Sequence, residues 1–208
     1  MKKATLFLCF CALMLSCFLA TPVFAEESSD FPWRGGEIQL NLEGTLPVIQ
    51  NVLSVDSRLV MFLAPENDVI QAFVYAGVKW HIFSWFWVRP MIGFTANGPS
   101  GDAFDLSLWT GSSIFNGFIT VLSESDLLVN GDGEVDYYGS HSVDLHFGIL
   151  NFGLQGEQFN KGYMFGPHIG IYKPLGNSIV ASTELQYYLG FQDVNRGHTL
   201  RLLVGFSL

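Results

Sequence analysis

The sequence predicts an all-β protein, an antiparallel up-and-down transmembrane β-barrel of 8–10 strands preceded by a cleaved signal peptide. Three observations predict it. The chain opens with a basic and then apolar segment that is typical of export. Its remaining hydrophobic residues alternate with polar ones, and this alternation continues to the last residue, as in a closing strand. We therefore divide the chain into a signal peptide, residues 1–25, and an outer-membrane β-barrel, residues 26–208.

The first residues carry the export signal. Lys2 and Lys3 form a basic start, an apolar run covers 6–20, and short side chains lead to a cleavage point after Ala25. A membrane-anchoring helix is the alternative, and the acidic residues that follow Ala25 argue against it. Lipidation at Cys17 is a second alternative, although the segment after it continues as an ordinary signal end.

The composition excludes several kinds of protein. Removing residues 1–25 leaves eight basic and 19 acidic residues and no cysteine. The acidic excess argues against a nucleic-acid partner, and without cysteine neither a disulfide nor a thiolate site can form. The protein is 49% hydrophobic, yet beyond residue 25 it has no apolar stretch of the ~20 residues that a membrane helix needs. This combination leaves a soluble core or a β-barrel.

Hydrophobic alternation with a period of two predicts the strands. In 36–44, Ile38, Leu40 and Leu42 form an apolar face and the intervening residues are polar. The same alternation recurs in 59–63, 70–81, 86–95, 104–108, 143–149, 165–171, 179–191 and 199–208. Turn signals lie at 97–101, 160–162 and 174–177.

The strand count depends on three segments. Ten strands result if 141–158 forms one bulged strand, and eight result if 114–121 merges with its neighbour. The segment 123–139 is either a long loop or an extra hairpin. We expect an even number, with both chain termini on the periplasmic side.

Periodicity alone does not say whether the apolar faces point inward, as in a soluble barrel, or outward to lipid. Three features favour lipid. Aromatic residues cluster near segment ends, as at membrane interfaces. The last strand ends at Leu208 with Phe206 two residues earlier. Glycines recur on the polar faces, as expected in a crowded lumen: Gly77, Gly93, Gly148, Gly166, Gly170, Gly190 and Gly205.

With polar faces inward, the lumen would hold charges of both signs, which must pair when buried. Arg201, on the closing strand, should lie near Glu37 or Glu43 on the first. We interpret the set as a structural ion network, with a narrow selective pore as the alternative. The predicted network is Glu37, Glu43, Arg58, Lys79, Arg89, Asp105, Asp144, Glu184 and Arg201.

The sequence predicts neither a metal site nor a cofactor. Its five histidines lack the spacing that is typical of metal ligands. His146 and His168 fall on polar faces, where we expect them to hydrogen-bond in the lumen. Asp144 and His146 share one strand face and form a weak candidate acid–base pair. No nucleophile motif is present, so no catalytic residue is predicted.

Segments 89–94, 165–171 and 183–187 resemble small bacterial outer-membrane barrels of the OmpA/OmpX type. The Gly-x-His-Ile-Gly stretch at 166–170 also resembles lipid A deacylase barrels. That family carries a His-x-Ser pair on the following catalytic strand, where this chain has Tyr187, Tyr188 and Leu189. The resemblance therefore implies the barrel without that catalytic pair.

These observations predict a non-enzymatic barrel of the bacterial outer membrane with a structural or surface-interaction role. A narrow pore for small solutes is the alternative, and a lipid A-modifying enzyme is the second alternative. The expected partners are outer-membrane lipid and the barrel-insertion machinery, and we expect a monomer.

Overall fold

The computed structural model describes residues 33–64, 69–98, 101–176, 179–191 and 197–208. Within them the chain forms one closed barrel of eleven strands. The predicted signal peptide lies outside the described residues. No helix in the described part is long and apolar enough to cross a membrane. The strands are β1 (Trp33–Ile49), β2 (Leu53–Ala64), β3 (Val69–Phe83), β4 (Phe86–Gly98), β5 (Gly101–Ile114), β6 (Ile119–Asn130), β7 (Val135–Phe147), β8 (Leu150–Phe159), β9 (Gly162–Pro174), β10 (Val180–Gly190) and β11 (Gly197–Ser207).

Neighbouring strands are antiparallel except where the barrel closes. There β1 and β11 run parallel, with Glu37 opposite Arg201 and Leu42 opposite Phe206. The start of β1 and the end of β11 therefore lie at opposite rims. We call them the first rim, where β1 begins, and the second rim, where β11 ends. The expectations of 8–10 strands and of an even number are wrong, because the described residues form eleven.

The extra strands arise from turns that the sequence patterns did not separate. Segment 141–158 is not one bulged strand, because a two-residue turn at 148–149 divides it into β7 and β8. Gly148 has a φ of 66°, which glycine adopts readily at the first position of a two-residue hairpin turn. Segment 123–139 forms the β6–β7 hairpin, and Phe115 and Asn116 turn the chain between β5 and β6 with positive φ.

The barrel is inside out relative to a soluble protein. On β5, burial alternates from Asp102 to Ser112: Asp105 is fully buried, whereas the adjacent Leu106 is 45% exposed. On β4, Arg89 is 3% exposed and Ile92 is 57% exposed. The apolar faces that the sequence predicted thus cover the outside, and the polar faces line the lumen.

Both rims carry aromatic pairs on the outer surface. Phe83 and Trp85 stack at the second rim with ring centroids 5.4 Å apart, and Phe165 and Phe191 stack at the first rim at 5.2 Å. The strands between them present aliphatic side chains to the outside. The predicted clustering of aromatic residues near strand ends is therefore confirmed for Trp80, Phe83 and Trp85, whereas Trp87 and Tyr172 line the lumen instead.

Glycine permits the dense packing of the lumen. A Cβ atom on Gly77 would lie 2.3 Å from the carbonyl oxygen of Pro90 on β4, closer than real contacts allow. The glycines on polar faces thus occur where neighbouring groups crowd the inner surface. Gly148 is the exception, because it lies in a turn.

Candidate functional site

The lumen contains separate charge clusters instead of one network. The first surrounds Arg201, which is 3% exposed on β11. Its Nε donates to Glu37 Oε2 at 2.9 Å, which confirms the predicted contact across the barrel closure. Its two terminal nitrogens donate to the two carboxylate oxygens of Glu157 on β8, at 2.5 and 3.2 Å. Tyr188 donates to Glu157 at 2.6 Å, so all members share a hydrogen-bonded unit.

The second cluster surrounds Arg89 on β4. Arg89 Nη2 donates to Glu43 Oε1 at 2.7 Å, and its Nε forms an ion pair with Asp56 Oδ2 at 2.9 Å. Asp56 is fully buried and accepts a hydrogen bond from Ser54 at 2.7 Å. We refer to the Arg201 cluster and this Arg89 cluster as the arginine clusters. In each of them, one guanidinium contacts two carboxylates.

Arg58 and Lys79 of the predicted network lie against aromatic rings. The Arg58 guanidinium is 4.1 Å from the centroid of Trp109, and Lys79 Nζ is 4.5 Å from that of Trp87. Such contacts place a cation over the negative face of the ring. These two residues therefore line the lumen, as predicted. Their partners are aromatic rings, which the alternation of polar and apolar residues could not identify.

Asp105 belongs to a third group with Asp126 and Tyr75. Asp126 accepts hydrogen bonds from Ser107 and from Tyr75 at 3.4 Å. Asp105 is fully buried, and neither of its oxygens has a hydrogen-bond donor within the described part of the chain. The structure thus places Asp105 in the lumen, as predicted, beside a second carboxylate.

The fourth group, which we call the histidine cluster, joins Asp144, Asn151, His168 and Glu184 from four successive strands, β7 to β10. His168 Nε2 lies 2.5 Å from Asp144 Oδ1 and 3.5 Å from Glu184 Oε2. The Asn151 amide nitrogen lies 3.3 Å from an oxygen of each carboxylate. All four residues are buried. Three ligand-type side chains therefore meet at one point.

This arrangement replaces the predicted pairing of Asp144 with His146. His146 Nε2 instead contacts Thr120 Oγ1 at 2.8 Å, while His168 from β9 reaches Asp144. The sequence placed His168 on a polar face but could not identify its partner. Glu157 was missed, although alternation in the β8 segment would have placed it beside other inward residues.

A cavity of about 410 Å³ occupies the lumen. Its lining reaches the second rim at Val180, Phe206 and Ser207, and in the other direction extends to Glu157 and Tyr188. Arg58, Lys79 and Arg89 line the side formed by β2 to β4, next to Glu43 on β1. Asp144, His168 and Glu184 of the histidine cluster line the opposite side. The lysine and arginine side chains that line the cavity thus lie opposite the histidine cluster.

Ser123 and His141 form one of the polar pairs on the outer surface of the described strands. Ser123 Oγ on β6 is 2.8 Å from His141 Nδ1 on β7, and the contact is exposed. The two residues are register partners near the middle of their strands. A hydroxyl beside an imidazole is the combination used for activated serine nucleophiles.

The chain matches no family model and no curated protein. The barrel fold agrees with the resemblance to small outer-membrane barrels, and the finer assignment to the OmpA/OmpX type stays a prediction.

Proposed function

We propose that this protein is an integral barrel of the bacterial outer membrane with a non-enzymatic, structural or surface-interaction role. The inside-out polarity carries the proposal. Large aliphatic side chains such as Val74, Ile92 and Leu108 are at least half exposed, whereas Asp56 and Asp105 are fully buried. In water this distribution would leave the apolar faces unburied, whereas in a bilayer they would contact acyl chains.

Backbone hydrogen bonding gives independent support. Closure of β1 onto β11 leaves no open sheet edge, and Leu208 donates to Glu43 and accepts from Thr45 at the seam. A bilayer core requires this complete pairing, because lipid offers no partner to a free backbone group. The stacked aromatic pairs at the two rims fit the two interfaces.

The localisation test separates cells into outer-membrane, inner-membrane and soluble periplasmic fractions and detects the mature chain in each fraction. We expect it in the outer-membrane fraction, resistant to alkaline carbonate extraction, with a gel mobility that changes on boiling. Recovery in the soluble periplasmic fraction would refute the proposal. Outer-membrane lipid and the insertion machinery are the partners that this location implies.

A structural role, as opposed to a pore, is supported by the Arg201 cluster. Its hydrogen bonds link β11, β8 and β10, and the described cavity lining extends to Glu157 and Tyr188. We therefore expect no discrete conductance when the protein is reconstituted into planar bilayers. Stepwise conductance above that of the empty bilayer would favour the alternative, a narrow pore for small solutes.

A second candidate function, lipid modification, is favoured by the exposed Ser123–His141 pair. Polar side chains facing lipid are unfavourable and mark functional positions. Ser123 would attack an acyl ester carbonyl while His141 takes the hydroxyl proton and returns it to the departing alcohol. Water would then release the acyl group as a carboxylic acid. Mass spectrometry of lipids from cells carrying wild-type protein or S123A tests this step, and identical spectra would exclude it.

A further inference from the structure

The histidine cluster differs from the arginine clusters in how its carboxylates are neutralised. Arg201 and Arg89 each contact two carboxylates. Asp144 and Glu184 have no arginine or lysine within salt-bridge distance among the described residues, and the basic group that they share is His168. An imidazole, unlike a guanidinium, is not permanently charged. The two buried carboxylates of the histidine cluster therefore have less fixed positive charge beside them than those of the arginine clusters, and burying uncompensated charge is unfavourable.

The donor atoms are spaced for an ion. Ligands at about 2.1 Å from a tetrahedral centre lie about 3.4 Å from one another. His168 Nε2 is already 3.5 Å from Glu184 Oε2. Its 2.5 Å contact with Asp144 Oδ1 would lengthen by roughly 1 Å, which a carboxylate rotation can provide.

Asn151 supplies an independent indication of a ligand. Its side chain is fully buried, its amide lies between the two carboxylates, and its Oδ1 has no hydrogen-bond partner within the described residues. Turning the amide by half a rotation would place this oxygen where the nitrogen now lies, 3.3 Å from each carboxylate. A cation at the centre would then satisfy the oxygen that is otherwise unpaired.

Two glycines make room for the cluster. A Cβ atom on Gly153 would lie 2.4 Å from the His168 ring, and one on Gly170 would lie 2.3 Å from Asn151 Oδ1. Larger residues at these positions would displace the histidine and the amide. Asp144, His168 and Glu184 also line the cavity that reaches the second rim, which gives an ion a route to them.

We propose that Asp144, His168 and Glu184, with the amide oxygen of Asn151, bind one divalent transition-metal ion. One nitrogen and three oxygens suit Zn²⁺ or Mn²⁺, whereas Ca²⁺ and Mg²⁺ prefer oxygen ligands alone. The two carboxylates and a neutral imidazole would balance the charge of the ion. This inference does not depend on the membrane location.

The test uses untagged, full-length mature protein in detergent micelles, freed of metal with a chelator. Calorimetric titration with ZnCl₂ and then MnCl₂, and elemental analysis after desalting, measure binding. We expect one ion per chain and a higher unfolding temperature for the wild type. E184Q and H168Q should each bind about tenfold more weakly or worse.

The matched control is E43Q, which alters a lumen carboxylate of the Arg89 cluster and should bind as the wild type does. Far-ultraviolet circular dichroism verifies that each variant keeps its β-structure. Absence of binding to the wild type would overturn the proposal. Equal binding by the wild type, E184Q and H168Q would also overturn it, because the ion would then occupy another site such as the exposed His141.

Discussion

Two regions of the lumen carry buried carboxylates in similar surroundings but neutralise them in different ways. In the Arg201 cluster a fixed guanidinium makes two-pronged hydrogen bonds to Glu157. In the histidine cluster, Asp144 and Glu184 face an imidazole and an amide. A guanidinium is permanently charged and geometrically matched to a carboxylate, so the first region is built as a brace. The second has no such fixed cation, and we infer that it binds an exchangeable one once the contact between His168 and Asp144 opens.

The largest expected effect is the loss of the Arg201 guanidinium. R201M would leave Glu37 and Glu157 without their cation and should lower the free energy of unfolding by about 3–5 kcal/mol. H168Q, measured without metal, should cost less, because Asp144 keeps its hydrogen bonds from Ser142 and Asn151. Urea unfolding in lipid vesicles, followed by tryptophan fluorescence, compares the two variants. Equal losses in the free energy of unfolding would contradict the proposed difference between the Arg201 cluster and the histidine cluster.

A charge introduced on the outer face provides a stability loss with which the losses in the lumen can be compared. I92R introduces an arginine on the outer face in the middle of β4 and should cost ~2–4 kcal/mol in a bilayer. L46R, near the second rim on β1, should cost ~0–1 kcal/mol because the side chain can reach the interface. Unfolding in vesicles measures both. A larger loss for L46R than for I92R would contradict lipid contact in the middle of the barrel.

The same chemical change in the two regions should have unequal effects. E157Q removes a charged partner from Arg201 and should destabilise by about 1.5–3 kcal/mol. E184Q removes a carboxylate that has no arginine or lysine partner, and in the presence of a chelator it should change stability by less than about 1 kcal/mol. The readout is the urea midpoint of each variant. A larger loss for E184Q would show that its charge is already compensated.

A smaller loss of stability is expected when a side chain is added at a glycine that is crowded by backbone, and none when it is added at a glycine with open space around it. A Cβ atom on Gly166 would lie only 1.8 Å from the backbone oxygen of Tyr187, so G166A should cost about 1–3 kcal/mol through overpacking beside the Arg201 cluster. G156A is the control, because a Cβ there meets nothing closer than 3.6 Å. Thermal unfolding of the two alanine variants gives the comparison, and a tolerated G166A would contradict the tight packing.

The smallest expected effect concerns one hydroxyl. Tyr188 donates to Glu157 at 2.6 Å and accepts from Arg201 at 3.1 Å, so Y188F should cost about 1 kcal/mol. Tyr163, which is 47% exposed on the outer face, provides the control Y163F with little expected change. Urea unfolding measures the difference between the two variants. An unchanged stability of Y188F would show that the Tyr188 hydroxyl does not contribute to the Arg201 cluster.

The sequence by itself determined the two faces of most strands, because side chains in a strand alternate with a period of two. It also placed Arg201 near Glu37 or Glu43, since the last strand must pair with the first, and the register of the closing strands selects Glu37. It did not determine the strand number. Gly148 and the Phe115–Asn116 turn act through backbone dihedrals that hydrophobic periodicity does not record.

Only the tertiary structure decided which charges meet inside the barrel. Arg201 reaches Glu157 three strands away, and His168 reaches Asp144 two strands away. Which residues meet across several strands depends on the sum of the offsets between all the strand pairs that separate them. One misplaced turn in the sequence reading changes this sum for every strand that follows. The tertiary structure also decided the direction of the apolar faces, because alternation is the same whether a barrel is surrounded by water or by lipid.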